Sequence, residues 1–164
     1  MRALRIALLP VALIAAGLLA LLALLPSGDR LPPDADLPRE QHVSGWPKAA
    51  ELARIDTFEP IYLPRGTGKP ELTVRGIPGD SSRPLAAEYE GGLIIRQAHV
   101  DVDPQLEDEP AEVDGADDAW WGSVQEVTYL YVSRGKTLII LSGLPSNDLI
   151  QTAGSLRPVE VSGD

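Results

Sequence analysis

The chain has 164 residues, of which 14 are basic and 24 acidic, and it contains no cysteine. It therefore has no disulfide, no thiolate metal site, no cysteine nucleophile and no lipobox cysteine. The formal net charge of −10 argues against binding to nucleic acid or to anionic lipid headgroups, because both require a positive protein surface.

An apolar run, residues 6–25 (IALLPVALIAAGLLALLALL), contains no charged side chain. As a helix it would extend about 30 Å, the thickness of the hydrocarbon core of a bilayer. Arg2 and Arg5 precede the run, and the part that follows carries 12 basic and 24 acidic residues. The positive-inside rule then predicts that residues 1–5 are cytoplasmic and that the rest of the chain lies outside the cytoplasm.

The run has two interpretations, an uncleaved signal anchor or a cleaved signal peptide. A cleaved peptide usually has a shorter apolar core followed by an A-x-A-like site. The sequence around Leu25 and Pro26 has no such pattern, so we favour a single-pass anchor and keep cleavage as the alternative. Prolines in residues 26–45 indicate a semi-rigid tether, which leaves a folded domain over 46–158 and a tail over 159–164.

The domain begins with a predicted short helix over residues 46–55, in which Pro47 suits the first turn because it lacks an N–H group. An extended passage follows over residues 58–66. Its residues Pro60 and Pro64 exclude a central strand, because proline cannot donate to a sheet ladder.

Period-two alternation then predicts a strand at residues 72–74 and two β-hairpins. The first hairpin joins 85–89 to 93–100 through Gly91-Gly92, and the second joins 124–132 to 136–141 through residues 133–135. A helix is predicted over 147–156, with Ser146 as N-cap and an apolar face made by Leu149, Ile150, Ala153 and Leu156. The predicted fold class is α+β: an antiparallel sheet of about five or six strands with the C-terminal helix packed on one face.

The order of these elements, together with the short motifs Pro60-Ile-Tyr-Leu-Pro-Arg-Gly66, Val113-Asp-Gly115-Ala116 and Ala153-Gly-Ser-Leu156, resembles a bacterial domain of unknown function. That domain occurs as the outer domain of membrane-bound anti-sigma-factor-type proteins and in stand-alone membrane-anchored proteins. The resemblance implies an outer sensory, binding or structural module without catalytic residues. Its best matches, Pro64, Gly66, Gly115 and Leu156, read as backbone and packing positions. Five residues before the span are too few for a sigma-binding domain, so we expect no direct contact with a sigma factor.

An acid-rich stretch occupies residues 101–118, with nine acidic residues and no basic one. Hard cations such as Ca²⁺ take six to eight oxygen ligands, and Asp101, Asp103, Asp114, Asp117 and Asp118 are the candidate ligands. The EF-hand pattern is not present, because Pro104 and Gln105 interrupt it. A solvated acidic loop explains the same composition, and we favour it over a metal site.

Aromatic and histidine residues supply the remaining candidates. Trp120 and Trp121 would point to opposite faces of a strand, where they could form a glycan-binding surface with Tyr129 and Tyr131, although cross-strand packing is the commoner role. His42 and His99 are the only histidines, and His42 falls in the predicted tether. His99 could belong to an acid–base pair or bind a metal, but a surface strand position beside Asp101 and Asp103 is the commoner role.

No G-x-S-x-G elbow or phosphate-binding loop in the right context occurs in the chain. We therefore expect a non-catalytic binding or sensing module of the bacterial envelope, without a cofactor. Its expected partners are the membrane, through the N-terminal span, and an envelope protein. The alternative is a calcium-dependent or glycan-binding outer module that uses the acidic stretch and Trp120/Trp121.

Overall fold

Ten short strands and two helices make up the computed structural model, which describes residues 39–76, 81–100 and 109–161. The strands are β1 (Arg39–Val43), β2 (Phe58–Pro60), β3 (Pro70–Gly76), β4 (Leu85–Tyr89), β5 (Ile94–His99), β6 (Glu109–Pro110), β7 (Asp118–Val124), β8 (Val127–Arg134), β9 (Thr137–Ser142) and β10 (Leu156–Pro158). The helices are α1 (Trp46–Ala53) and α2 (Ser146–Gly154).

Eight of these strands form one sheet in the order β1-β3-β4-β5-β9-β8-β7-β6, and each neighbouring pair is antiparallel. Strands β2 and β10 form a separate antiparallel pair. The described part of the chain is therefore mostly β, and the predicted antiparallel sheet with helices is confirmed in outline.

Alternation along the strands gives the large sheet two unlike faces. The core face carries fully buried residues from six strands, and both helices lie against it: α1 contacts β3, and α2 contacts β8 and β9. The shared core comprises Ala49, Ala53, Leu72, Val74, Leu85, Ala87, Ile95, Leu130, Val132, Ile139, Leu141, Leu149, Ala153 and Leu156, among others. Burying these side chains supplies the main stabilisation of a chain that has no disulfide.

Both predicted hairpins form, as β4–β5 and β8–β9. The bounds of the second differ from the prediction: its first strand starts at Val127, and its turn lies at residues 135–136 rather than 133–135. Gly92 and Gly135 adopt φ values of +88° and +58° in their turns, a region that glycine enters without a steric penalty. Both predicted helices also form, although α2 begins at Ser146, after Pro145, and no side chain caps it. The prediction that Ser146 caps this helix is therefore wrong, and Leu156 belongs to β10 rather than to the helix.

The predicted strand count of five or six is too low, because several strands carry little apolar alternation. Strand β1 falls in residues assigned to the tether, and four of its five side chains are exposed. Its sequence REQHV resembles that of a polar linker, because an edge strand with exposed side chains carries few apolar residues. Strand β6 has only two residues, and both are exposed. In the predicted tail, the Val159 N–H donates to the Thr57 carbonyl at 2.8 Å.

Within residues 39–76, 81–100 and 109–161, no helix is long and apolar enough to cross a membrane. The predicted span over 6–25, and the predicted tether up to residue 38, lie outside the described residues.

Candidate binding cleft

A buried arginine at the end of β8 holds together the segments around the candidate site. Arg134 is 8% exposed. Its Nη1 donates to the Leu156 carbonyl at 2.9 Å, and its Nη2 donates to the carbonyls of Asp114 (2.9 Å) and Ala153 (3.1 Å). Its guanidinium carbon lies 5.6 Å from the centre of the Phe58 ring. We call this set of contacts the Arg134 clasp.

The clasp places the positive charge of Arg134 beside the backbone carbonyl oxygens at the C-terminal end of α2, which carry partial negative charge. Ala153 lies in the last turn of α2, where carbonyl groups without helical partners favour a cation. Burial lowers the pKa of the Arg134 guanidinium, Arg157 lowers it further, and Asp117 acts in the opposite direction. Because arginine keeps its proton in proteins, the guanidinium remains a cation that orients the 114–117 loop, the end of α2 and β10.

Two further buried polar side chains fix the segment that leads into β2. The amide of Gln97 accepts from the Phe58 N–H at 2.9 Å and donates to the Phe58 carbonyl at 2.6 Å, so it pairs with this residue as a neighbouring strand would. Thr137 donates to the Asp56 carbonyl at 2.8 Å. Gln97 and Thr137 are both at least 99% buried. The Phe58 ring is therefore held in place beneath Arg134.

An open cleft of about 740 Å³ lies between the loop that follows β6 and helix α2. We call it the acidic cleft, because four carboxylates line it: Glu112, Asp114, Asp117 and Asp118. Its other walls are Tyr62, Ala111, Val113, Ala116, Ala119, Ile150, Gln151 and Gly154. The Tyr62 side chain is 41% exposed, and the adjacent Ile61 is 68% exposed. The cleft thus combines acidic groups with apolar surface.

Two of the four carboxylates have partners, and both bonds shape the local backbone. Asp117 Oδ2 accepts from the Gly135 N–H at 2.6 Å, which ties the loop to the β8–β9 turn. Asp118 Oδ1 accepts from the Ala119 N–H at 2.9 Å. The carboxylates of Glu112 and Asp114 have no hydrogen bond or ion pair with any residue of the described ranges.

None of the ion pairs in the described part of the chain neutralises this cleft. They join His42 to Glu71, Lys48 to Glu51, and Arg75 to Glu40. The cleft therefore presents four carboxylates in a concave surface, and such a shape concentrates the electrostatic field. The nearby Arg134 donates to backbone carbonyls rather than to these carboxylates. A cationic ligand would meet both the field and two carboxylates that are free to accept hydrogen bonds.

The candidate metal ligands are only partly described. Asp114, Asp117 and Asp118 line the same cleft, whereas Asp101 and Asp103 lie outside the described residues. Among the residues that the structure describes, no group of three or more histidine or acidic side chains could hold a metal ion. The described aspartates share a surface but do not form a coordination sphere.

The aromatic residues pack within the sheet. Trp120 pairs with Tyr131 across β7 and β8, and their rings stack with centres 5.8 Å apart and planes 1° apart. Trp120 is 4% exposed, while Trp121 lies on the core face of β7, where it is half-buried and packs against the core. The predicted cross-strand packing is confirmed, and neither tryptophan offers a fully exposed ring to a sugar.

The remaining candidates lie apart from the cleft. His42 is on β1 and His99 is the last residue of β5. The sequence reading did not identify Arg134, Tyr62 or Gln97 as important. A single arginine in a hairpin and a glutamine in a strand give no sequence signal, because their partners are 19 to 39 residues away.

Comparison with known proteins adds no identity to this geometry. No protein-family model, no curated protein and no solved structure matches the chain.

Proposed function

We propose that the chain is a membrane-anchored, extracytoplasmic, non-catalytic binding module, and that its acidic cleft binds a basic, extended segment of an envelope protein. The observation that carries the proposal is the arrangement of Glu112, Asp114, Asp117 and Asp118 along one cleft without a neutralising ion pair. The apolar run over residues 6–25 supplies the anchor.

The chemistry of the cleft favours lysine and arginine side chains. These side chains carry a charged head on an aliphatic stem, and they bury the stem along apolar surface while the head stays in water. Tyr62, Ile150 and Val113 supply such surface beside the carboxylates. A ligand with several separated cations also suits carboxylates that do not converge on one point.

The fixed walls of the cleft support the same function. The Arg134 clasp holds the Asp114 carbonyl against the end of α2, so the loop that carries the acidic groups is ordered before a ligand arrives. Pre-ordering a binding surface reduces the conformational entropy that is lost on association. The clasp thereby contributes to affinity without touching the ligand.

A binding measurement tests this proposal. A fluorescent peptide in which lysine and leucine alternate is titrated with the full chain in detergent, and its anisotropy is recorded. We expect binding that weakens with added salt, because exposed charges are screened. The same peptide with glutamate in place of lysine serves as the ligand control and should not bind.

Paired variants locate the site. Glu112→Gln with Asp114→Asn should weaken binding by about tenfold, since two exposed ion pairs contribute up to about 1 kcal/mol each. Glu88→Gln with Glu126→Gln removes the same charge from exposed positions away from the cleft and should leave the affinity nearly unchanged. Equal losses in both double variants would mean that the peptide responds only to net charge, and the cleft proposal would be wrong.

The membrane topology has an independent test, because the chain lacks cysteine. Single cysteines at Ala3 and at Gln151 are labelled with a membrane-impermeant maleimide. In intact cells we expect label at position 151 and none at position 3 until the membrane is opened. Label at both positions, or at neither, would contradict an N-terminal anchor with an outer domain.

The calcium-dependent alternative is supported by one observation, the shared location of Asp114, Asp117 and Asp118. Thermal melts of the full chain with EDTA, with Ca²⁺ and with Mg²⁺ at matched ionic strength distinguish the two functions. A calcium-specific rise would support the alternative, because a ligand that binds only the folded state raises its stability. Equal shifts with both cations indicate screening and favour the peptide-binding function.

A further inference from the structure

Strand β1 ends the large sheet, and no described strand pairs with its outer side. Its inner side makes five consecutive antiparallel pairs with β3, from Arg39↔Gly76 to Val43↔Leu72, without a bulge. The strand contains no proline and no lysine. Natural sheets commonly protect their edges with those features, and within the described residues no strand occupies the outer backbone groups of β1.

Charged side chains lie along one face of the sheet at this edge. Glu40 lies opposite Arg75 and forms an ion pair with it at 3.2 Å. His42 Nδ1 lies 2.9 Å from Glu71 Oε1. The Glu40 and His42 side chains project from the same face of β1, because they are two residues apart on one strand. Both ion pairs join β1 to β3.

We propose that β1 pairs with β1 of a second copy of this chain, antiparallel and centred on Gln41, so that two eight-stranded sheets become one. A two-fold axis through the Gln41 pair places Glu40 of one copy opposite His42 of the other, twice. In its protonated form the His42 imidazole has two N–H donors, one for Glu71 of its own copy and one for Glu40 of the second.

The charges specify this register and this partner. Across the seam the order is Arg75, Glu40, then His42 and Glu71 of the second copy, so each carboxylate lies beside Arg75 or His42. Opposite charges on directly facing residues stabilise a strand pair, whereas like charges destabilise it. A shift of two residues would place Glu40 against a second Glu40, or His42 against a second His42. The edge is therefore complementary to itself in one register.

Cysteine cross-linking tests the register. In an antiparallel pair, facing Cα atoms lie about 4.5–5.5 Å apart, within the range of about 4.4–6.8 Å that a disulfide spans. With the purified full chain in detergent, Gln41→Cys should cross-link to itself several-fold faster than Gln151→Cys, an exposed control on α2. Glu40→Cys mixed with His42→Cys should give heterodimers, because these positions face each other.

Two results would overturn the proposal. One is cross-linking of Gln41→Cys no faster than that of Gln151→Cys. The other is efficient self-cross-linking of Arg39→Cys or Val43→Cys. In the proposed register Arg39 of one copy faces Val43 of the second, so neither residue faces its own counterpart.

A charge variant tests the complementarity. His42→Glu in the Gln41→Cys background places a carboxylate opposite Glu40 of the second copy and should slow cross-linking. An unchanged rate would contradict the proposed charge complementarity.

Discussion

The Arg134 clasp and the β1 edge both use charged side chains, but in opposite surroundings. Arg134 is 8% exposed, and its guanidinium donates to three backbone carbonyls. At the edge, the side chains of the His42–Glu71 pair are 63% and 70% exposed, and those of the Arg75–Glu40 pair are 42% and 47% exposed. The clasp joins segments that are distant in sequence. The two ion pairs at the edge instead join β1 and β3, which backbone hydrogen bonds already hold together.

This difference assigns distinct roles to the two regions. Removing a buried charge leaves its partners without hydrogen bonds at a largely buried site, and each such group costs about 1–3 kcal/mol. Exposed ion pairs contribute at most about 1 kcal/mol, because water and salt screen them. The clasp therefore determines stability and the shape of the cleft, while the edge charges determine which strand can associate with β1.

The largest effect is expected at the clasp itself. Arg134→Met should lower the free energy of unfolding by about 3 kcal/mol or more, because the carbonyls of Asp114, Ala153 and Leu156 lose their donors. Urea denaturation of the full chain followed by tryptophan fluorescence measures it. Arg134→Lys keeps the charge but not the planar fork of donors, so an intermediate loss is expected. If Arg134→Met is as stable as the original chain, the clasp is not what holds these segments.

A smaller loss is expected at the glutamine that supports the Phe58 ring. Gln97→Leu removes both hydrogen bonds to the Phe58 backbone, and the unfolding free energy should fall by about 2 kcal/mol. The same substitution at the edge, Gln41→Leu, changes an exposed side chain and should shift stability by no more than about 0.5 kcal/mol. Similar losses at the two sites would remove the distinction between the regions.

Alkaline pH tests a buried titratable group on β4. Burial raises the pKa of the Tyr89 phenol above its ordinary value of 10.0, and Glu59 acts in the same direction. The unfolded chain therefore ionises first, so this contribution to stability is complete below about pH 10 and is lost as the pH rises further. Tyr89→Phe should flatten the decline of unfolding free energy above about pH 10. An equally steep decline in the variant would mean that other groups cause it.

The smallest effect is expected at the exposed pairs. Glu40→Gln removes the ion pair with Arg75 and should cost no more than about 0.5 kcal/mol. The unfolding free energy in low and in high salt measures this, and the variant should be less sensitive to salt than the original chain. A loss as large as that of Gln97→Leu would show that the edge is held by its charges rather than by its backbone ladder.

The sequence predicted the elements whose patterns are local. The β4–β5 and β8–β9 hairpins were found because glycine turns separate alternating apolar runs, and α2 was found because its apolar residues share one helical face. Strand β1 was missed because an edge strand with four exposed side chains has the composition of a linker. Patterns that depend on burial do not reveal strands that are exposed on both faces.

The candidate site was predicted only in part, for a related reason. Asp114, Asp117 and Asp118 attracted attention through their charge, and they do line one cleft. Tyr62 lies beside them because β2 pairs with β10. Arg134 is linked to them through its hydrogen bonds to the backbone carbonyls of Asp114, Ala153 and Leu156. Such contacts depend on tertiary structure. Because every residue has a backbone carbonyl, a hydrogen bond to one cannot be predicted from the residue type of the partner.

Hydrogen–deuterium exchange of the full chain in detergent, with and without the lysine–leucine peptide, tests the central claim most directly. We predict slower exchange on binding in residues 111–119 and 150–154, which form the acidic cleft, and unchanged exchange in β1. Protection of β1 instead, or no protection in either cleft segment at saturating peptide, would contradict the assignment of the cleft as the binding surface.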